Sequence, residues 1–101
     1  MFSAKEANKL AKVNRELLNQ AAVIYDEAAI CKHIKRKIKK GEYTLKYAYN
    51  IMACQTEEAR DMLKKKFEEN GYNISECFLG YDYHGVAVRG FYIDWSEDKD
   101  G

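Results

Sequence analysis

The sequence predicts an α+β protein in which a long N-terminal helix is followed by a strand, a second helix and two further strands. Three observations support this order: apolar residues at helical spacing up to about residue 40, alternating apolar and polar residues in the tyrosine-rich segments, and glycines between the segments. The strands are expected to form a three-stranded sheet with both helices on one face. The chain has 101 residues, which fits a single domain at 1–95 (helix about 4–40, sheet and second helix 43–95), followed by a polar C-terminal tail at 96–101.

The first helix is expected to begin at a capping box. In Ser3-Ala4-Lys5-Glu6 the serine hydroxyl is expected to accept a hydrogen bond from the Glu6 amide, and the Glu6 carboxylate to reach back to the Ser3 amide. No glycine or proline follows until Gly41, which suits a C-terminal cap after a lysine-rich last turn. Apolar residues recur every seven positions along this helix, at Leu10, Leu17, Ile24, Cys31 and Ile38.

The length of this helix leaves two alternatives. Unbroken, it has about 36 residues and spans about 54 Å, which is more than the width of a compact domain of this size. Either it breaks near Asn19-Gln20 or Tyr25-Asp26 and folds back, or it is continuous and its apolar stripe meets another chain. We predict the second arrangement, in which the chain is a homo-oligomer that self-associates through Leu10, Leu17, Ile24 and Cys31.

The later elements follow from local patterns. In residues 43–51, tyrosine and aliphatic residues alternate with shorter or polar ones, which predicts a half-buried strand. Thr56 opens a short amphipathic helix that ends at Asn70-Gly71. Strands at 74–83 and 86–95 complete the chain around a turn at His84-Gly85. The last strand is the richest in apolar residues, so we expect it to lie between the other two strands and to pair antiparallel with both.

The last two strands carry many aromatic side chains, for which two interpretations stay open. Val86 and Val88 have the opposite parity to Phe91 and Ile93, so a bulge at Gly90 is expected to turn all of them toward the core. In one interpretation the aromatic residues form the sheet side of the core. In the other, the tyrosines form an exposed platform for a partner. The two interpretations are compatible if the core aromatic residues and the exposed tyrosines lie on different faces of the sheet.

The charge distribution indicates a second surface. Residues 1–50 carry 11 basic and 5 acidic side chains, whereas residues 51–101 carry 6 and 11. Such asymmetry indicates a basic half that faces a ligand, or opposite charges that meet between subunits. The basic helix end 32–40 makes a nucleic-acid-binding module the alternative function. The candidates for a surface that binds a protein partner or nucleic acid are Lys35, Arg36, Lys39, Tyr47 and Tyr83.

No sequence motif predicts catalysis, a cofactor or a metal. A P-loop, a dinucleotide fingerprint and zinc-ligand spacing are all missing from the sequence, and its three cysteines are interpreted as small buried hydrophobic residues. Asp82 and His84 flank the predicted turn without a nucleophile beside them, so His84 is interpreted as a turn residue. We expect a protein that is not an enzyme and holds no cofactor or metal. A membrane span and a signal peptide are also not predicted, which favours a cytoplasmic location and no membrane partner.

Three segments carry a resemblance to a known group of proteins: MFSAKEANKL at the start, KKKFEENGYNI at the end of the second helix, and GFYIDW in the last strand. In these segments the chain resembles small α+β proteins of uncharacterised function encoded by bacteriophages and prophages. The resemblance spans most of the chain and implies no catalytic residues. It implies a phage setting in the host cytoplasm, where the protein is a minor virion component or an inhibitor that binds a host protein.

Overall fold

A computed structural model describes residues 1–96 and confirms the α+β architecture. Within these residues the chain forms two α-helices and three strands: α1 (Ala4–Lys39), β1 (Thr44–Ala48), α2 (Glu57–Glu69), β2 (Asn73–Tyr81) and β3 (Ala87–Asp94). The first helix is continuous, so neither of the breaks considered above occurs. Apart from Ser96, the predicted polar tail lies outside the described residues.

The ends of α1 are fixed by the residues that the sequence indicated. The Ser3 hydroxyl oxygen accepts a hydrogen bond from the Glu6 amide at 3.1 Å. At the other end Gly41 adopts a φ of 73°, a left-handed conformation that favours glycine, and its amide donates to the Ile38 carbonyl at 2.9 Å. Both ends are therefore determined by local contacts.

The face of α1 that packs on the rest of the domain is not the stripe with seven-residue spacing. The buried positions of the helix lie at intervals of three and four residues: Asn19, Val23, Asp26, Ile30 and Ile34. Two of these five are polar, so this face does not stand out by hydrophobicity. The core side of the helix lies more than a third of a turn away from Leu10 and Leu17, at about 100° per residue.

The sheet has the order β1-β3-β2, and β3 pairs antiparallel with both neighbours, as expected. Ile93 of β3 lies opposite Leu45 and Ile74, so all three side chains point to the same face of the sheet. They are buried together with Tyr47 and Phe91. This face packs against the helices, and the core lies between them.

The predicted bulge at Gly90 is wrong. The register shift lies in β2, between Phe78 and Gly80, and leaves Val88 on the face opposite to Phe91. Gly90 is instead a site of close contact with β1, because a Cβ atom there would lie 2.3 Å from the Tyr47 carbonyl oxygen. Only glycine fits at this position without displacing the backbone of β1.

The first strand is also shorter than predicted. It ends at Ala48, and residues Tyr49–Ile51 form a 3-10 turn instead of continuing the alternation. The turn directs the chain to the buried carboxylate of Asp26. There Oδ1 accepts from the Ala53 amide at 2.8 Å and Oδ2 accepts from the Cys54 amide at 2.7 Å. Burial, followed by the neighbouring carboxylate, raises the pKa of the Cys54 thiol to about 12.

Helix α2 lies beside α1, with the two helices running in the same direction. Near its start, Glu58 pairs with Arg15 at 2.7 Å, and near its end Lys66 pairs with Glu27 at 2.6 Å. Between residues 1 and 96, no helix is both long enough and apolar enough to cross a bilayer.

Candidate interaction surfaces

The first candidate surface is a line of apolar residues on α1 that the domain leaves uncovered. We define the outer face of α1 as Leu10, Val13, Leu17, Ala21 and Ile24, all of which are exposed. Their intervals of three and four residues keep them on one side of the helix. Large aliphatic side chains in such a continuous line are typical of a surface that another protein covers.

The outer face begins on a part of α1 that has little support from the domain. Every residue from Met1 to Leu18 is exposed, and the first ion pair from α1 to α2 is made by Arg15. Residues 4–14, which we call the arm, therefore form about three turns that extend past the core. An isolated helix shorter than about 12–15 residues is only marginally stable in water. Packing against the outer face would stabilise the arm.

Three of the four residues predicted to mediate self-association lie together on this surface. Leu10, Leu17 and Ile24 are exposed on the outer face. Cys31 is partly buried and packs against the core, and burial raises the pKa of its thiol. Met62 of α2, which the sequence pattern does not assign to this surface, is exposed beside Ile24. These two side chains help to line a shallow groove of about 210 Å³ between α1 and α2.

The second candidate surface is the hairpin end, defined as Phe78, Tyr81, Tyr83 and Val86. Here β2 and β3 continue past the end of β1 as a two-stranded ribbon, and all four side chains are exposed. The Phe78 and Tyr81 rings meet edge to face at 5.2 Å. The Asp82 carboxylate fixes the turn by accepting from the amides of His84 and Val86 at 2.9 Å. The interpretation of this segment as a turn is confirmed. Within the turn the positive φ is adopted by Gly85, and not by His84.

The third candidate surface is the basic end of α1. Five cations there are exposed: Lys32, Lys35, Arg36, Lys39 and Lys40. In the part of the chain that the structure describes, the ion pair formed in this segment is that of Lys37 with Glu42, at 2.9 Å. The hydrogen bond from Lys37 lowers the pKa of the Glu42 carboxyl. The other cations remain available to an anionic partner.

The two tyrosines predicted to face a partner have opposite environments. Tyr83 is 93% exposed at the hairpin end, whereas Tyr47 is 7% exposed. Tyr47 belongs to the core, where its ring lies 5.5 Å from that of His33, and burial raises the pKa of its hydroxyl. The placement of Tyr47 on a binding surface is therefore corrected. The same contact partly buries His33.

Tyr49 is a further aromatic residue that the sequence assigned to a strand. Its ring meets Phe91 edge to face at 5.1 Å, and the Arg60 guanidinium lies 4.7 Å from its centre. Burial raises the pKa of the Tyr49 hydroxyl well above its usual range, and the nearby Glu76 carboxylate raises it further. These contacts join the 3-10 turn to the sheet, so Tyr49 is a structural residue.

The three surfaces are convex or shallow, and none of them is a deep cleft. Among residues 1–96 there is no group of three or more His, Cys, Asp or Glu side chains placed to hold a metal ion. Comparison of the chain with protein-family models, with curated proteins and with solved structures finds no match in any of the three. The functional interpretation therefore depends on the surfaces themselves.

Proposed function

We propose that this chain is a small, non-enzymatic assembly protein that forms homo-oligomers through the outer face of α1 and presents its hairpin end to a protein partner. The observation that supports this most directly is the exposure of Leu10, Leu17 and Ile24 along one side of a continuous helix whose core contacts lie on another side. The resemblance to phage-encoded proteins supplies the proposed setting. The partner would then be a phage or host protein in the host cytoplasm or in the virion.

The apolar area of the outer face is about large enough to hold a second copy. Full burial of a Val, Leu or Ile side chain stabilises by about 1.5–3 kcal/mol. Four such side chains per copy, about half of whose surface remains to be buried, give roughly 8 kcal/mol for a pair of copies. Association itself costs about 4–15 kcal/mol. The outer face alone is therefore near the threshold for a stable pair, and neighbouring contacts such as Met62 decide the affinity.

Light scattering on a sizing column tests self-association. We expect a mass that is a multiple of 11.7 kDa for the wild-type chain and a monomer for the Leu17→Glu, Ile24→Glu variant. Leu18→Glu is the matched control, since Leu18 is 70% exposed, Leu17 is 58% exposed, and the two point about 100° apart on the helix. The Leu18→Glu variant should keep the oligomeric mass. A monomeric wild type, or a double variant that stays oligomeric, would contradict the proposal.

The hairpin end is the proposed contact with a different protein. Exposed aromatic side chains are enriched at protein interfaces because they bury a large area with few rotatable bonds. Tyr83 and Tyr81 meet this description, and their turn is held by the Asp82 hydrogen bonds. Because this ribbon lies outside the outer face of α1, an oligomer formed through α1 keeps it available.

Nucleic-acid binding is the second candidate function, favoured by the exposed cations at the end of α1. Binding to single-stranded or duplex DNA should weaken steeply with salt, because each neutralised phosphate releases counterions. Changing Lys35, Arg36 and Lys39 to glutamine should lower the slope of log affinity against log salt by about one for each phosphate that these cations neutralise. The control is Lys64→Gln, Lys65→Gln in α2. Equal affinities for the two variants would exclude the basic end as the site.

A further inference from the structure

The charges that lie beyond the two ends of the outer face, on the same side of α1, give the pairing a direction. We infer that two copies of this chain pair with their α1 helices antiparallel, with the two-fold axis passing beside Gln20 and Ala21. This inference rests on the proposed function, because it concerns the orientation of the same self-associating helix. It names the second copy as the occupant of the outer face.

Charge complementarity between the two ends of α1 favours the antiparallel pair. At helical spacing, Glu6 lies four residues before Leu10, and Lys35 lies further along the same side of the helix. Both side chains are exposed. In a parallel pair Glu6 would face Glu6 of the other copy and Lys35 would face Lys35, so that like charges would meet at both ends. In an antiparallel pair Glu6 of one copy faces Lys35 of the other, twice.

Large and small side chains also face each other in that register. The register that pairs positions 6 and 35 also places Leu17 opposite Ile24 and Val13 opposite Ala28 of the other copy. Ala21 then lies next to Ala21 of the other copy at the two-fold axis, where a small side chain lets the helices approach closely. Ala21 and Ala28 are both exposed, so neither position is blocked by the domain.

The position of α2 favours the same register. Met62 lies beside Ile24 along the groove between the two helices, so the apolar surface widens near the proposed axis. In the antiparallel register each Met62 reaches toward the middle of the other copy's α1. The arm of each copy then packs along the supported half of its partner, which supplies the contacts that the arm lacks within its own chain.

Charge reversal tests the direction. Glu6→Lys and Lys35→Glu should each raise the dissociation constant of the dimer about tenfold, since two attractive pairs become repulsive. The dissociation constant of the double variant should return to within about threefold of the wild-type value, because opposite charges again face each other, in the reverse order. A double variant that binds no better than either single variant would overturn the antiparallel arrangement.

Disulfide cross-linking tests the register in a background with Cys31→Ala and Cys77→Ala. We expect Ala21→Cys to link two copies on oxidation, because position 21 lies at the axis. Ala28→Cys should not link. In this register the two residues at position 28 lie about 22 Å apart along the helix axis, whereas a disulfide requires Cα atoms within about 7 Å. The background chain without an added cysteine is the control.

The outcomes separate this inference from the proposed function. A monomeric wild-type mass would reject both. An oligomer in which Ala28→Cys links as readily as Ala21→Cys would reject the antiparallel arrangement and keep self-association. An oligomer in which neither cysteine links would reject the register that places Ala21 at the two-fold axis.

Discussion

Replacing Asp26 with alanine would remove the contact that holds the segment between β1 and α2 against α1. The Asp26 side chain is 0% exposed, and its two carboxylate oxygens accept from the amides of Ala53 and Cys54. A second contact holds the same segment, because the Thr56 hydroxyl donates to the Asn19 side-chain oxygen at 2.8 Å. The Asp26→Ala variant keeps that contact but leaves two backbone amides without their acceptor.

The size of the effect follows from these two hydrogen bonds. A hydrogen bond to a charged group contributes about 1.5–3 kcal/mol, and a buried donor left unsatisfied costs about 1–3 kcal/mol. We expect Asp26→Ala to lower the free energy of unfolding by about 4 kcal/mol. Asp26→Asn retains one acceptor oxygen, so it should lower the free energy of unfolding by only about 2 kcal/mol. Small domains have a total stability of about 5–15 kcal/mol, so the alanine variant should keep a folded state that is roughly 1–11 kcal/mol more stable than the unfolded chain.

Urea denaturation followed by circular dichroism measures this loss. All variants should be compared at one protein concentration, because oligomer formation adds to apparent stability. Asp61→Ala, a change to an exposed aspartate on α2, should alter the free energy of unfolding by no more than about 0.5 kcal/mol. A loss below about 1 kcal/mol for Asp26→Ala would show that the two amides find other acceptors, and the account of this contact would be wrong.

Three further predictions concern the sheet and the cysteine beside Asp26. Gly90→Ala should lower the free energy of unfolding by about 3 kcal/mol in urea titrations, because its Cβ would overlap the backbone of β1. The control is Ser75→Ala on the exposed part of β2. If the two variants lost the same free energy of unfolding, the close contact at Gly90 would be contradicted. Tyr81→Ser with Tyr83→Ser should leave the thermal midpoint within about 2 °C of the wild type, and a larger fall would assign these rings to stability. The Cys54 thiol has a pKa of about 12 in the fold against an ordinary value of 9.0, so the folded state binds this proton more tightly. Stability should therefore fall, relative to a Cys54→Ala variant, as the pH rises above 9, and parallel pH profiles of the two proteins would refute the shift.

The helix ends and the strand order are predictable from the sequence because their causes are local or topological. Ser3, Thr56 and Gly41 act on residues within four positions, so capping rules locate the ends of α1 and the start of α2. The central position of β3 follows from its high apolar content. These features need no knowledge of distant contacts.

The core side of α1 is not predictable in the same way. Asp26 looks like a surface residue in the sequence, and its burial depends on amides 27 and 28 residues further along the chain. Strand β1 likewise ends at Ala48, ahead of the 3-10 turn that leads to these two amides, although the alternating pattern continues to Ile51. A pattern in a single segment does not contain such partners.

The candidate surfaces are predictable only in part. The spacing of Leu10, Leu17 and Ile24 identifies an apolar side of α1, but the sequence does not show that the domain leaves it uncovered. Tyr47 and Tyr83 are alike as sequence positions, yet only Tyr83 lies beyond the end of β1, where neither α1 nor α2 covers the side chain. Exposure depends on where neighbouring elements stop, which local patterns do not record.

The position of β3 in the centre of the sheet has a consequence for synthesis on the ribosome. Both β1 and β2 pair with β3, so no strand has a neighbour until the C-terminal part of the chain emerges. A chain cut short before residue 87 lacks the whole sheet and not merely one edge strand. Helix α1 is complete long before that point, so the pairing proposed for its outer face would be able to begin between nascent chains before the sheet of either copy has formed.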